Sequence, residues 1–95
     1  MTKGLKFDTG KERYDLLPPE ALHDIAKVLT YGAAKYAPNN WKLVDDPESR
    51  YFAAVQRHLW AWQRGEKLDP ETNVSHLAHA ACSIMFLLEL ENELK

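Results

Sequence analysis

Residues 75–93 read SHLAHAACSIMFLLELENE, and this stretch decides the fold. Ser75 is a residue type that caps the N-terminus of a helix, and the apolar residues after it occupy every side of that helix before Glu89. A helix that is apolar all round must be buried all round. The rest of a short chain can cover about two of its sides, so we expect the remaining side to pack against a second copy. The alternative is a three-helix monomer that encloses this helix.

Two further helices are predicted upstream of it. Pro18 and Pro19 suit the first turn of a helix, and apolar residues recur at helical spacing over 19–36. Another helix is expected over 48–64, because Gly65 supplies a C-terminal stop.

The fold class follows from these segments. Residues 1–17 carry two glycines and several charges and are expected to form an extended arm, and no segment shows the alternation of a strand. We therefore expect residues 1–95 to form one all-α domain. It is a bundle of about three helices with an extended N-terminal arm, completed by oligomerisation.

Composition excludes several classes of protein. Twelve basic and fourteen acidic side chains give a formal net charge of −2, so the basic field that drives binding to duplex nucleic acid is missing. Cys82 is the one cysteine, which excludes an internal disulfide and a cysteine-based zinc site. Residues 77–88 are too short an apolar run to span a bilayer, and the N-terminus lacks a signal-peptide pattern. We expect a cytoplasmic protein, in a bacterium or a phage-infected host, with no membrane partner.

Three of the four histidines are spaced so that they can meet. His76 and His79 share a helix face, and His58 faces them if the last two helices pack antiparallel. The connector between these helices adds three candidate catalytic carboxylates, Glu66, Asp69 and Glu71. Imidazoles and carboxylates together suit a divalent metal (Mg, Mn, Co or Zn), with a connector acid left as base. The alternative is that His58 and His79 are hydrogen-bonded core residues and the connector acids are solvated.

Basic and aromatic side chains that suit a nucleotide lie in the arm, around residues 37–49 and on the second predicted helix. An exposed tryptophan offers a face on which a nucleobase can stack, and lysine, arginine and asparagine donate hydrogen bonds to phosphate. The candidates are Lys6, Lys11, Arg13, Lys35, Asn40, Trp41, Arg57 and Trp60. The alternative is that the tryptophans are core residues and the lysines a solvated surface. The sequence contains no P-loop, dinucleotide-binding or serine-hydrolase motif.

Several longer strings resemble one phage and prophage family. They are KFDTGK at 6–11 with Arg13, DLLPPEAL at 15–22, YGAAKY at 31–36, NNW at 39–41, RHLWAW at 57–62, GE at 65–66, DPE at 69–71 and HLAHA at 76–80. The family that they resemble is the dATP/dGTP diphosphohydrolase family of the N-terminal type, which is related to the all-α nucleoside triphosphate pyrophosphatases of the MazG kind. The resemblance covers nearly the whole chain.

This resemblance implies an oligomeric helical bundle that cleaves a purine deoxynucleotide, such as dATP or dGTP, to the monophosphate and pyrophosphate. MazG-like enzymes hold Mg²⁺ with E-E-x-x-E and E-x-x-D patterns, which fall on residues 57–61 and 76–79 here, where no carboxylate stands. Imidazole suits softer cations than Mg²⁺. Two mechanisms follow: a histidine-bound metal that activates water, or a cationic pocket at Arg57 that holds phosphates without cutting them.

Three functions therefore stay open from the sequence. The first is a metal-dependent nucleotide pyrophosphohydrolase. The second is a non-catalytic phage nucleotide-binding protein, a sponge that sequesters a signalling nucleotide. The third is an interaction module whose apolar helix docks a partner protein.

Overall fold

The computed structural model describes residues 3–94, so residues 1 and 2 of the predicted arm and residue 95 of the predicted domain lie outside the described part. Within it the chain is α-helical, and its β structure is one isolated bridge between Leu68 and Ser75. The all-α class is confirmed. Helix α1 spans Pro19–Lys35, α2 spans Pro47–Gln63 and α3 spans His76–Glu93, against predicted limits of 19–36, 48–64 and 75–93.

Local chemistry explains where these helices begin. Proline occupies the first turn of both α1 and α2, where its missing N–H costs nothing. Asp46, just before α2, has φ of 50°, so the chain turns sharply into that helix. Ser75 caps α3 as predicted, because its Oγ accepts a hydrogen bond from the Leu77 N–H at 3.1 Å. Gly65 follows the end of α2 with φ of 104°, a conformation that favours glycine.

Helices α2 and α3 form an antiparallel hairpin, and α1 packs on α3. His58 near the end of α2 meets His76 at the start of α3, while Tyr51 near the start of α2 meets Phe86, with ring centroids 5.2 Å apart. The Cys82 thiol lies 3.5 Å from a backbone carbonyl of α1, at Ile25. This arrangement leaves α3 in the middle of the molecule.

The core is small and built from small side chains. Its buried apolar residues are Val55, Ala61, Ala78, Ala80 and Cys82. Small residues let the backbones of α2 and α3 approach closely, but they bury little area. The chain exposes 7782 Å², whereas a globular chain of 10.9 kDa exposes about 5,600 Å². The three helices and the extended arm therefore leave more surface exposed than a typical globular chain of this mass does.

One side of α3 is left uncovered by its own chain. Leu77, Ile84 and Leu88 are 43%, 49% and 55% exposed, although they belong to the most apolar segment of the sequence. The structure thus departs from the alternative of a monomer that encloses this helix.

The connector is held by its own hydrogen bonds, whereas the arm is exposed. In the connector, the His76 N–H donates to the Lys67 carbonyl at 3.0 Å and the Asp69 N–H donates to the Val74 carbonyl at 2.9 Å, so the loop is closed on itself. Residues 3–17 are exposed, and their one helical element is the 3₁₀ turn Tyr14–Leu16. None of the described helices is both long enough and apolar enough to cross a membrane.

Candidate functional site

Three imidazoles meet between α2 and α3, as their spacing predicted. The Nδ1 atoms of His58 and His76 are 2.8 Å apart, and the ring of His79 stacks on that of His58 with centroids 4.7 Å apart. The antiparallel hairpin causes this meeting, because it sets the last turns of α2 beside the first turn of α3.

Hydrogen bonds fix the tautomers of two of these rings. The His76 Nε2 lies 3.2 Å from Oε2 of Glu66, and a carboxylate can only accept, so Nε2 carries the proton. In neutral His76 the Nδ1 is then an acceptor, and the proton between the two Nδ1 atoms belongs to His58. His76 is 4% exposed, so its position is set by the fold and not by solvent.

Asp69 is held beside the histidines by the connector. Its Oδ1 accepts hydrogen bonds from the N–H groups of Glu71 and Thr72, at 2.9 and 3.0 Å. The Thr72 hydroxyl donates to the same oxygen at 3.4 Å and lies 2.6 Å from Nε2 of His79. Partial burial opposes ionisation of Asp69, but the two backbone hydrogen bonds, together with His79 and His58, outweigh it and lower its pKa. The carboxylate is therefore charged and oriented.

The environment favours the neutral form of two of the imidazoles, those of His58 and His79. Burial, with the neighbouring imidazoles second, lowers the pKa of His58 from 6.5 to about 4. Burial also lowers the pKa of His79. Neutral imidazole is the form that binds a metal, so protonation does not prevent His58 from acting as a ligand at neutral pH.

One group of side chains among residues 3–94 has the spacing of a metal site. It consists of His58, Asp69 and His76, whose ligand atoms all lie within 4.8 Å of one another. We call it the His–Asp cluster. Two nitrogen donors and one carboxylate fit Mn²⁺, Co²⁺ or Zn²⁺ better than Mg²⁺, which prefers oxygen ligands.

The structure distributes the other predicted site residues around this cluster. His79 lies outside it and contacts it through Thr72 and by stacking on His58. Glu66 holds His76 and is more than half exposed, so it keeps access to water. Glu71 forms an ion pair with Lys35 of α1 at 3.1 Å, which ties α1 to the connector.

The predicted phosphate-binding residues do not converge on one place. In the arm, Lys6 pairs with Asp8 and Arg13 with Asp15, and Lys11 is exposed. Arg57 is exposed next to His58, and its charge helps to lower the pKa of that imidazole. Trp60 lies on the surface of α2.

Asn40 and Trp41 lie at a second feature, an open cavity of about 780 Å³. We call it the aromatic cavity. Trp41 stacks on Phe86, with ring centroids 4.4 Å apart and planes 10° apart. The cavity is bounded by the C-terminal half of α1, the segment 37–44, the start of α2 and the C-terminal half of α3.

Sequence reasoning missed several residues at these two features. Thr72 joins Asp69 to His79, but a lone threonine in a polar connector carries no signal. Tyr51 and Phe86 did carry one. Each is seven residues from one of the three predicted histidines, Tyr51 from His58 and Phe86 from His79, and residues seven apart share a helix face.

The fold and the cluster together define an all-α protein with a candidate metal centre inside an antiparallel helix pair. A family model described as the N-terminal domain of dATP/dGTP diphosphohydrolase matches residues 1–95, and the chain belongs to that family. A curated relative is a dATP/dGTP diphosphohydrolase of Salmonella phage PMBT28, 37% identical over 89 residues, or 94% of this chain. The chain spans 30% of that relative's length. No solved structure gives a significant match.

Proposed function

We propose that this chain is a metal-dependent pyrophosphohydrolase of purine deoxynucleoside triphosphates such as dATP and dGTP, which releases the monophosphate and pyrophosphate. The observation that carries the proposal is the His–Asp cluster, held by a chain whose family and relative bear the name dATP/dGTP diphosphohydrolase. We also propose that it acts in the cytosol of a bacterium or of a phage-infected cell.

In this proposal His58, Asp69 and His76 would hold the cation, which would replace the hydrogen bond between the Nδ1 atoms of the two histidines. A bound divalent cation polarises phosphoryl oxygens and lowers the pKa of water, which is the chemistry that hydrolysis of an acid anhydride needs. Asp69 brings a charge that partly neutralises the cation, and its bonds to the connector backbone fix its direction. His76 is fixed by Glu66 on its other nitrogen, an arrangement that raises the basicity of a ligand imidazole.

Glu66 is the carboxylate that is best placed to accept a proton from attacking water. It contacts the cluster through His76, yet it stays open to solvent. Glu71 is committed to Lys35, and we therefore give it the role of holding the connector against α1. His79 supports Asp69 through Thr72.

We further propose that the chain acts as a homo-oligomer. Leu77, Ala81, Ile84 and Leu88 follow each other at spacings of four, three and four residues, which is the pattern of a helix seam. This stripe lies on the side of α3 away from Cys82, which contacts α1.

Helix α2 carries a matching stripe. Phe52 and Leu59 are exposed and seven residues apart, so they share one face of α2. Arg50 is about 200° around α2 from Phe52 and lines the cavity that α1 bounds, so we infer that both stripes lie on the face of the hairpin opposite α1. We call it the hairpin face. We propose that a second copy of the chain packs on this face. Two hairpin faces brought together form a four-helix bundle, which covers the apolar side chains that the single chain leaves exposed.

Hydrolysis is tested by product analysis. The purified chain is incubated with dATP, dGTP, dCTP and dTTP in Mg²⁺, Mn²⁺ or Co²⁺, and the products are separated by ion-exchange chromatography. We expect dAMP and dGMP with equimolar pyrophosphate, fastest in Mn²⁺ or Co²⁺. Nucleotides left intact under every condition, but bound in calorimetry, would replace hydrolysis by the alternative of a nucleotide-sequestering protein.

A further inference from the structure

The aromatic cavity has the size and lining of a small-molecule site. Its volume of about 780 Å³ is within the range of about 300–1,000 Å³ that such sites occupy. Most of its lining is apolar, and no histidine of residues 3–94 takes part in it. It is thus a feature separate from the His–Asp cluster.

We propose that this cavity binds the base and sugar of a purine deoxynucleoside triphosphate, while the His–Asp cluster takes the phosphates. The proposal rests on the proposed function and adds to it a subsite for the substrate.

Aromatic rings give the cavity a rigid wall. Trp41 and Phe86 are stacked, and the edge of Tyr51 meets Phe86. The Tyr51 hydroxyl also donates to the Trp41 carbonyl at 2.7 Å, which fixes the 3₁₀ turn Asn40–Leu43 against α2. Because these rings are already fixed, the protein does not have to order them when the flat face of a base binds.

The polar groups around this wall match a nucleotide. Asn40 and Glu89 line the cavity and can accept hydrogen bonds from the amino groups and ring N–H of a purine. Lys42 and Arg50 line it as well and bring two positive charges. An uncharged apolar ligand would offer these four side chains neither a hydrogen bond nor an opposite charge.

The spacing along the helices connects the cavity to the cluster. Tyr51 precedes His58 of the cluster by seven residues on α2. On α3, Phe86 follows His79, which stacks on His58, by seven residues. Seven residues are two turns, or about 10 Å, and the two positions share a face on each helix. An extended deoxynucleoside triphosphate spans such a separation between its base and its phosphates.

The test fills the cavity from a position that tolerates a larger side chain. Gly32 of α1 lines the cavity, and a Cβ added there meets no atom within 4 Å. Gly32→Leu therefore projects into the cavity, and it removes a glycine that costs about 1 kcal/mol inside a helix. Ala34→Leu is the matched control, since Ala34 lies on the same helix, is exposed and does not line the cavity.

Calorimetry measures the binding of dATP and of inorganic triphosphate to the full chain with Co²⁺ present. For Gly32→Leu we expect dATP to bind at least tenfold more weakly, with Co²⁺ and inorganic triphosphate bound as in the wild type. Ala34→Leu should bind dATP normally. Glu89→Gln should also weaken dATP and leave triphosphate unchanged, which covers the case that Gly32→Leu fails to fold.

The outcomes separate this subsite from the proposed function. If Gly32→Leu and Glu89→Gln both bind dATP within threefold of the wild type, the cavity is not the base site, whether or not dATP is cleaved. If dATP binds but is never hydrolysed, and Gly32→Leu still weakens that binding, the subsite stands and the proposed hydrolysis falls.

Discussion

Replacing Asp69 with asparagine changes the charge of the His–Asp cluster while keeping its shape. Asparagine has the same size, and its side-chain oxygen can still accept the hydrogen bonds from Glu71 and Thr72 that now end on Oδ1. The fold of the connector should therefore survive, and the loss should fall on the bound cation.

The two effects can be given magnitudes. Two backbone hydrogen bonds to a charged acceptor become bonds to a neutral one, which costs about 1–2 kcal/mol and lowers the Tm by about 5–10 °C. Metal affinity should fall by at least about 100-fold, because changing groups that only support metal ligands already costs about 10–100-fold.

The assay is a titration of the metal-free protein with Co²⁺, followed by its visible absorption and by calorimetry. Asp24→Asn is the matched control, since Asp24 is a surface residue whose ion pair with Lys27 is worth little. If Asp69→Asn binds Co²⁺ within threefold of the wild type, Asp69 is not a ligand and the reasoning from the cluster is refuted.

Three further predictions concern stability, reactivity and assembly. The unfolded chain protonates His58 near pH 6.5 but the folded chain only near pH 4, so this imidazole contributes stability that is present above 6.5 and lost as the pH falls toward 4. In EDTA, which removes bound metal, the free energy of unfolding measured with urea should be about 1–2 kcal/mol lower at pH 4.5 than at pH 7, after allowance for solvent screening. If His58→Asn loses as much between these pH values, the loss does not come from His58. Burial raises the pKa of Cys82 from 9.0 to about 11, so the native thiol should react with iodoacetamide at least about 100-fold more slowly than in urea; similar rates would show that the thiol is accessible. Ile84→Lys on the hairpin face should convert an oligomer to a monomer in sedimentation velocity, whereas Leu5→Lys in the arm should not; a monomeric wild type would remove the proposed assembly.

The sequence predicts the helices well because their signals are local. Proline at the start of α1 and α2, Ser75 before α3 and Gly65 after α2 act through the residues beside them. The meeting of His58 with His76 followed from one further assumption, the antiparallel packing of a short-connected helix pair.

The composition of the site was harder to predict than its place. Spacing alone ranked His79 with the other two histidines, because an i, i+3 pair on a helix shares a face. The connector determines which ring nitrogens can bind a metal. Its Thr72 contacts Nε2 of His79, and its Asp69 lies beside His58 and His76. Such contacts come from loop conformation, for which the sequence of a polar connector offers no periodic signal.

The aromatic cavity could not be predicted from the sequence, for a different reason. It is formed by four segments that are far apart in sequence, and the stacking of Trp41 on Phe86 joins the loop before α2 to the end of α3. Composition marks both rings as core or stacking residues, but only the packing of α1, α2 and α3 shows that space remains between them.

The central claim is that a divalent cation binds between His58, Asp69 and His76, and anomalous X-ray scattering tests it most directly. Crystals grown with Mn²⁺ and measured at the manganese absorption edge locate the ion without reference to activity. We expect one strong anomalous peak within bonding distance of the two imidazoles and the Asp69 carboxylate. A peak elsewhere with this cluster empty, or a cluster that keeps the 2.8 Å contact between the His58 and His76 nitrogens in saturating Mn²⁺, would contradict it.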